Sequence, residues 1–190
     1  MKKRQGSSTK VLSLLVMVTL MLMAFSSLAL AQQAQWMKDA HKMMEDGWKQ
    51  FNEGQRMVIK GVEMNNLVAV QAGFQDKMTQ GNKIIQDGRN TATQGATLFA
   101  QGEKIFMDNL TNPSVAEKGL KMMVDGFHMT TDGSEMMAKG VTMNNKVAQD
   151  AGATEKFTQG NQVINTGQDT MASGAKLFLQ GETIVLKNQK

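Results

Sequence analysis

Glycine recurs at every seventh residue through most of this chain, inside segments whose other residues follow a helical pattern. With glycine as position a of a heptad, one phase collects Gly47, Gly54 and Gly61; Gly81, Gly88, Gly95 and Gly102; Gly119, Gly126, Gly133 and Gly140; and Gly160, Gly167, Gly174 and Gly181, with Ala40 completing the first row. Only Gly6, Gly73 and Gly152 of the 18 glycines stand outside it. Positions d and e then collect paired apolar residues, such as Met43 and Met44, Ile84 and Ile85, Leu98 and Phe99, and Leu177 and Phe178. This is helical periodicity, and alternation by two is absent. Asn165-Thr166-Gly167 has turn chemistry that would suit a β-solenoid. The paired d/e hydrophobes, the abundant Met, Gln, Lys and Ala, and the lack of Tyr all argue against strands.

Glycine inside a helix costs roughly 1 kcal/mol relative to alanine. The full set of seam glycines therefore costs about 15 kcal/mol, comparable with the whole net stability of a domain. A row without Cβ atoms offsets that by letting a neighbour approach closer than the usual 8–10 Å or so between helix axes. The expected cover is the large d/e side chains of an adjacent helix. The alternative is that some seams face outward and accept another subunit or a ligand.

The same motifs return at a fixed distance. "GVEMNN" at 61–66 reappears as "GVTMNN" at 140–145, "TQGN" at 79–82 as the same four residues at 158–161, and "GATLFAQGE" at 95–103 as "GAKLFLQGE" at 174–182. Every pair is separated by the same interval, the one from Gly61 to Gly140, which reads as a tandem duplication. The heptad phase slips between Val68 and Phe74 and again between Val147 and Ala153, with Gly73 and Gly152 inside the slips, as glycine just past a helix end would be. It breaks once more near "TNPSVAEKG", where Pro113 and a Ser114–Glu117 spacing predict a helix start with a capping box. The expected fold is all-α: an antiparallel four-helix bundle about 50 Å long, built from two tandem helical hairpins, 32–111 and 112–190.

Residues 1–31 have the three parts of a secretory signal peptide: a basic start, the apolar run from Val11, and a small-residue close at Ala29-Leu30-Ala31. Cleavage there predicts an exported protein, periplasmic or extracellular in a bacterial envelope; an uncleaved leader would be its one route to a membrane anchor. The chain has 21 Lys+Arg against 17 Asp+Glu, and Lys2, Lys3, Arg4 and Lys10 all lie in the leader. What remains is neutral, which removes the basic footprint expected of a nucleic-acid binder. With no cysteine there is no disulfide, thiolate metal site or covalent haem attachment.

Methionine is abundant, at 18 residues, and after the leader all but Met107 fall at d or e. Thioethers suit Cu(I) and Ag(I), while the same placement suits a flexible filler in an uneven core. Met37, His41 and Met44 stand at i, i+4 and i+7, a candidate Cu(I) site, with His41 at position b on the edge of the stripe. Its counterpart in the second half is Leu120, and His128 has no such neighbours. Both histidines off the stripe disfavour a bundle-bound haem, and no Glu-x-x-His occurs to build a di-iron site. Neither a nucleophile elbow nor a phosphate loop is present. Gln50, Thr91, Thr130 and Thr170 are polar residues within the stripe and predict a small polar layer in mid-bundle.

Three functional classes fit. The first is a non-catalytic structural or assembly protein that binds itself or another envelope protein through close-packed glycine helices. The second is a periplasmic Met-rich Cu(I)/Ag(I) protein. The third is an amphipathic-helix binder of lipid or another apolar surface.

Overall fold

The computed structural model describes the backbone of residues 8–188 and the side chains of residues 35–188. The expected leader and its cleavage point lie outside the fully described residues. Four α-helices follow one another: α1 (Ser8–Gln71), α2 (Thr79–Asp108), α3 (Pro113–Asp150) and α4 (Thr158–Asn188). No strand occurs among the described residues, and within residues 35–188 no helical segment is long and apolar enough to cross a membrane.

The turns fall where the phase slips. α1 ends before Gly73 (φ 74°) and α3 before Gly152 (φ 68°), the only described residues with positive φ, where glycine avoids the Cβ clash of the left-handed region. Phe74 N–H donates to Ala69 O at 3.1 Å and Ala153 N–H to Ala148 O at 2.8 Å, closing each helix end with a bond across the glycine. A single tight helical turn then leads into the next helix, Gln75–Met78 in one case and Thr154–Phe157 in the other. The third connection departs from expectation. Asn112 is the N-cap of α3 with Pro113 at the first helical position, and no side chain caps it, so the Ser114–Glu117 box does not form. Pro113 has already fixed the entry, and Ser114 lies inside the helix rather than at its cap.

Helix pairing sets the shape of the bundle. The two intimate pairs are α1 with α4 and α2 with α3. Gly47, Gly54 and Gly61 face Gly174, Gly167 and Gly160, with Ala40 opposite Gly181; Gly81, Gly88, Gly95 and Gly102 face Gly140, Gly133, Gly126 and Gly119. Numbers rise along one helix as they fall along its partner, so both pairs are antiparallel. A Cβ on Gly88 would sit 2.5 Å from Gly133 O, and one on Gly133 2.5 Å from Gly88 O, which only backbone-to-backbone packing produces. Glycine seam therefore meets glycine seam. The expected cover of large d/e side chains is displaced to the flanks, because two rows that both lack Cβ atoms approach more closely than glycine against methionine allows.

This pairing rotates the buried face. Positions a and e are buried almost throughout, whereas d is only half-buried, as at Met43, Ile84, Leu98, Met122 and Leu177. In α1 and α3 position b turns inward as well: His41, Val62, Leu120, Phe127, Ser134 and Val141 are all buried. With the seam aimed at its partner helix, the bundle centre lies on the e/b side of α1 and α3, and d is left on the outer flank. Phe51, Phe99, Phe127 and Phe178 fill that centre, Phe127 stacked on Phe178 at 3.8 Å between ring centroids.

Candidate functional site

Because the intimate contacts are α1–α4 and α2–α3, the α1–α2 and α3–α4 faces are the wide ones, and the grooves lie there. On the α1–α2 face a groove of about 490 Å³ is lined by Glu45, Trp48, Lys49, Asn52, Gln55, Arg56 and Glu103. Trp48 floors it, stacked on Phe99 with ring centroids 4.2 Å apart. On the α3–α4 face the groove is smaller, about 260 Å³, and apolar, with Phe51, Val58, Met137 and Met171 in its walls.

His41 sits beside the first groove. Its ring stacks on Phe106 of α2 at 4.6 Å and 16°, and its Nε2 lies 3.7 Å from Glu103 Oε1. That distance is too long for a hydrogen bond, and Nε2 is buried without any partner. Glu45, one turn further along α1, completes a trio: one ligand-type atom each from His41, Glu45 and Glu103 lies within 4.8 Å of the others. Lys49 pairs with Glu45 from the next turn. Burial lowers the His41 pKa, only partly opposed by the negative charges of Glu45 and Glu103. Burial thus favours the neutral imidazole, which carries a lone pair on one nitrogen. The hydrogen bond from Lys49 holds the Glu45 carboxyl below its usual range, and the same contact raises Lys49.

Three residues expected to share an ion, Met37, His41 and Met44, do different things. Met37 and Met44 are 1% and 0% exposed in the core cluster, and the Met44 side chain lies against the Gly181 row of α4. His41 turns to α2 instead. Residues at e follow the seam toward α4, while the b positions at this end of α1, His41 and Trp48, face Phe106 and Phe99 of α2, which is why His41 is buried rather than open at an edge. The fifteen seam glycines lie between the paired helices. Of the expected polar layer, Thr130 is fully buried and donates across to Ala92 O of α2 at 3.3 Å as well as to Gly126 O of its own helix at 2.9 Å, whereas Thr91 and Thr170 donate to Asp87 O and Thr166 O of their own helices, and Gln50 is half-buried. No shared layer forms among them, because Thr91, Thr170 and Gln50 occupy the outer d flank.

Two features escaped the sequence reading. Glu45 and Glu103 are ordinary surface-type residues until α2 folds back on α1; the only signal was that Glu45 and His41 share an i, i+4 face. The repeated "MNN" motif holds the other. Asn65 Nδ2 donates to Asn161 Oδ1 and Asn144 Nδ2 to Asn82 Oδ1, each at 2.8 Å, clamping one intimate pair apiece. Asn65 and Asn144 occupy e positions, where apolar residues otherwise lie, and that interruption was legible.

The matching positions of the second half make a useful contrast. Leu120 and Val124 stand where His41 and Glu45 stand in the first half, and Leu120 is fully buried. Glu182 matches Glu103, but its histidine partner, His128 at 3.6 Å, has a side chain 55% exposed. Among the described residues, only the α1–α2 face thus combines a buried imidazole with two carboxylates. No family model, no curated protein and no solved structure matches this chain.

Proposed function

We propose that the chain is an exported, non-catalytic structural or assembly protein of the cell envelope or surface, formed by duplication of one helical hairpin. The observation that supports this reading is the pairing of glycine rows between α1 and α4 and between α2 and α3. Each intimate pair joins one helix from 32–111 to one from 112–190, so neither hairpin can cover its own seams. An isolated hairpin exposes two glycine rows whose natural cover is another hairpin. The chain supplies that second hairpin in tandem, joined by the short connection Asn109–Asn112. Self-association follows by exchange: two chains that open at this connection can cover each other's seams with the contacts used within one chain.

Light scattering coupled to size-exclusion chromatography of the full chain across a wide concentration range tests the assembly step. Dimers or higher species that persist on dilution and re-form after mild denaturation support it; a strict monomer at every concentration removes it. Export is tested separately by the intact mass of the protein recovered from the envelope fraction, which should begin at Gln32.

A further inference from the structure

We propose that His41, Glu45 and Glu103 form a binding site for one divalent transition-metal ion of zinc's borderline character, at the head of the α1–α2 groove. The inference is independent of the assembly reading.

Several observations converge on it. The donor set is one imidazole and two carboxylates, brought together by i, i+4 placement on α1 and by the antiparallel approach of α2. Such nitrogen and oxygen donors suit Zn²⁺ and its neighbours, whereas Cu(I) prefers the thioethers that this structure places in the core. Ligands bound at about 2.0–2.2 Å lie no more than about 4.4 Å apart across an ion, so a trio already within 4.8 Å needs only small side-chain adjustments. His41 is 9% exposed, and its buried Nε2 has no hydrogen-bond partner. A buried nitrogen of that kind is destabilising unless something completes it. Leu120 fills the corresponding position in the second half without that cost. Stacking on Phe106 holds the ring in place and aims Nε2 at Glu103. The carboxylates are about one-third exposed, 31% for Glu45 and 36% for Glu103, which leaves the ion a path from solvent and an open position for water.

Lys49 is the built-in competitor. It pairs with Glu45 and must swing away when the ion binds, which its 66% exposed side chain permits.

Zn²⁺ titration of the full chain, by calorimetry and by competition with a chromophoric chelator, tests the site. The expected result is one equivalent bound, with affinity falling more than about tenfold in Glu103→Gln and in the double variant His41→Leu, Glu45→Val. The double variant copies the residues of the second half, and Glu103→Gln changes a side chain about one-third exposed, so far-UV circular dichroism should show both folded. Lys49→Gln should bind more tightly than the parent. X-ray absorption of the zinc complex should show nitrogen and oxygen neighbours only. No binding by the parent chain, equal binding by folded variants, or sulfur in the first coordination sphere would each overturn the assignment.

Discussion

Gln55 Nε2 donates a hydrogen bond to Ser134 Oγ at 3.2 Å, and the two residues are separated by 79 positions, the spacing at which the sequence repeats itself. Equivalent residues of two similar halves touch only near an axis that relates them. Val62 and Val141 share one core cluster, and Ala69 and Ala148 another, so the relation runs along the bundle. α1 and α3 are thus parallel neighbours across the short diagonal, meeting through their b positions.

Gln55→Ala and Ser134→Ala should couple in a double-mutant cycle by about 0.5–1.5 kcal/mol, measured from urea unfolding curves. Coupling indistinguishable from zero would mean that the diagonal is held by the flanking valines and alanines alone.

Gly88→Ala reverses the usual helix rule. In an exposed helix the change should add roughly 1 kcal/mol, but here the new methyl meets Gly133 O at 2.5 Å on a backbone that cannot move aside. The expected outcome is a loss of about 1–3 kcal/mol or more, read as a lower urea midpoint. Gly73→Ala is the contrasting case: the site has open space but φ 74°, so the loss of about 1–2 kcal/mol comes from backbone conformation alone. A higher midpoint for Gly88→Ala would show that the seam does not require glycine.

Asn65→Ala should destabilise by about 1–3 kcal/mol, since it leaves the Asn161 amide of α4 without its partner. Asn144→Ala should do the same at the other pair, through Asn82. The two sites lie on different helix pairs, so their effects should add to within about 0.5 kcal/mol. Chemical denaturation of the two single variants and the double variant checks both statements.

His41→Leu should raise stability in metal-free buffer by about 1–3 kcal/mol, because it removes a buried nitrogen without a partner. Leu120 shows that the bundle accepts this side chain at the matching place. Thermal unfolding in the presence of a chelator measures it. A large loss of stability would indicate that the imidazole, stacked on Phe106, contributes more to packing than its missing hydrogen bond suggests.

Helices and turns were legible because glycine and the apolar pairs keep a seven-residue phase that fails only at chain reversals. The facing of that phase was not. Heptad arithmetic treats d and e as symmetric about the seam, and only the choice of partner helix decides that e enters the core while d, as at Thr91 and Leu98, stays at the edge. The same choice carried position b inward, taking His41 from an expected edge to a buried face. Met37 and Met44 looked like its companions because all three share one helix; the companions it acquired, Glu45 from its own helix and Glu103 from α2, depend on a fold-back that no local pattern specifies. Asn65 and Asn144 were visible as polar interruptions of an apolar column, but their partners Asn161 and Asn82 were visible only once the helices were paired.

The glycine rows carry one further implication. A zipper whose teeth are all alike can close one tooth out of step: moving α4 by one heptad along α1, a slide of about 10 Å, would again set glycine against glycine. Backbone proximity alone therefore measures how near two helices come and says little about where along each other they stop. That second instruction is written in the odd teeth, Asn65 against Asn161 and Asn144 against Asn82, and a chain stripped of them would hold its neighbours tightly in more than one alignment.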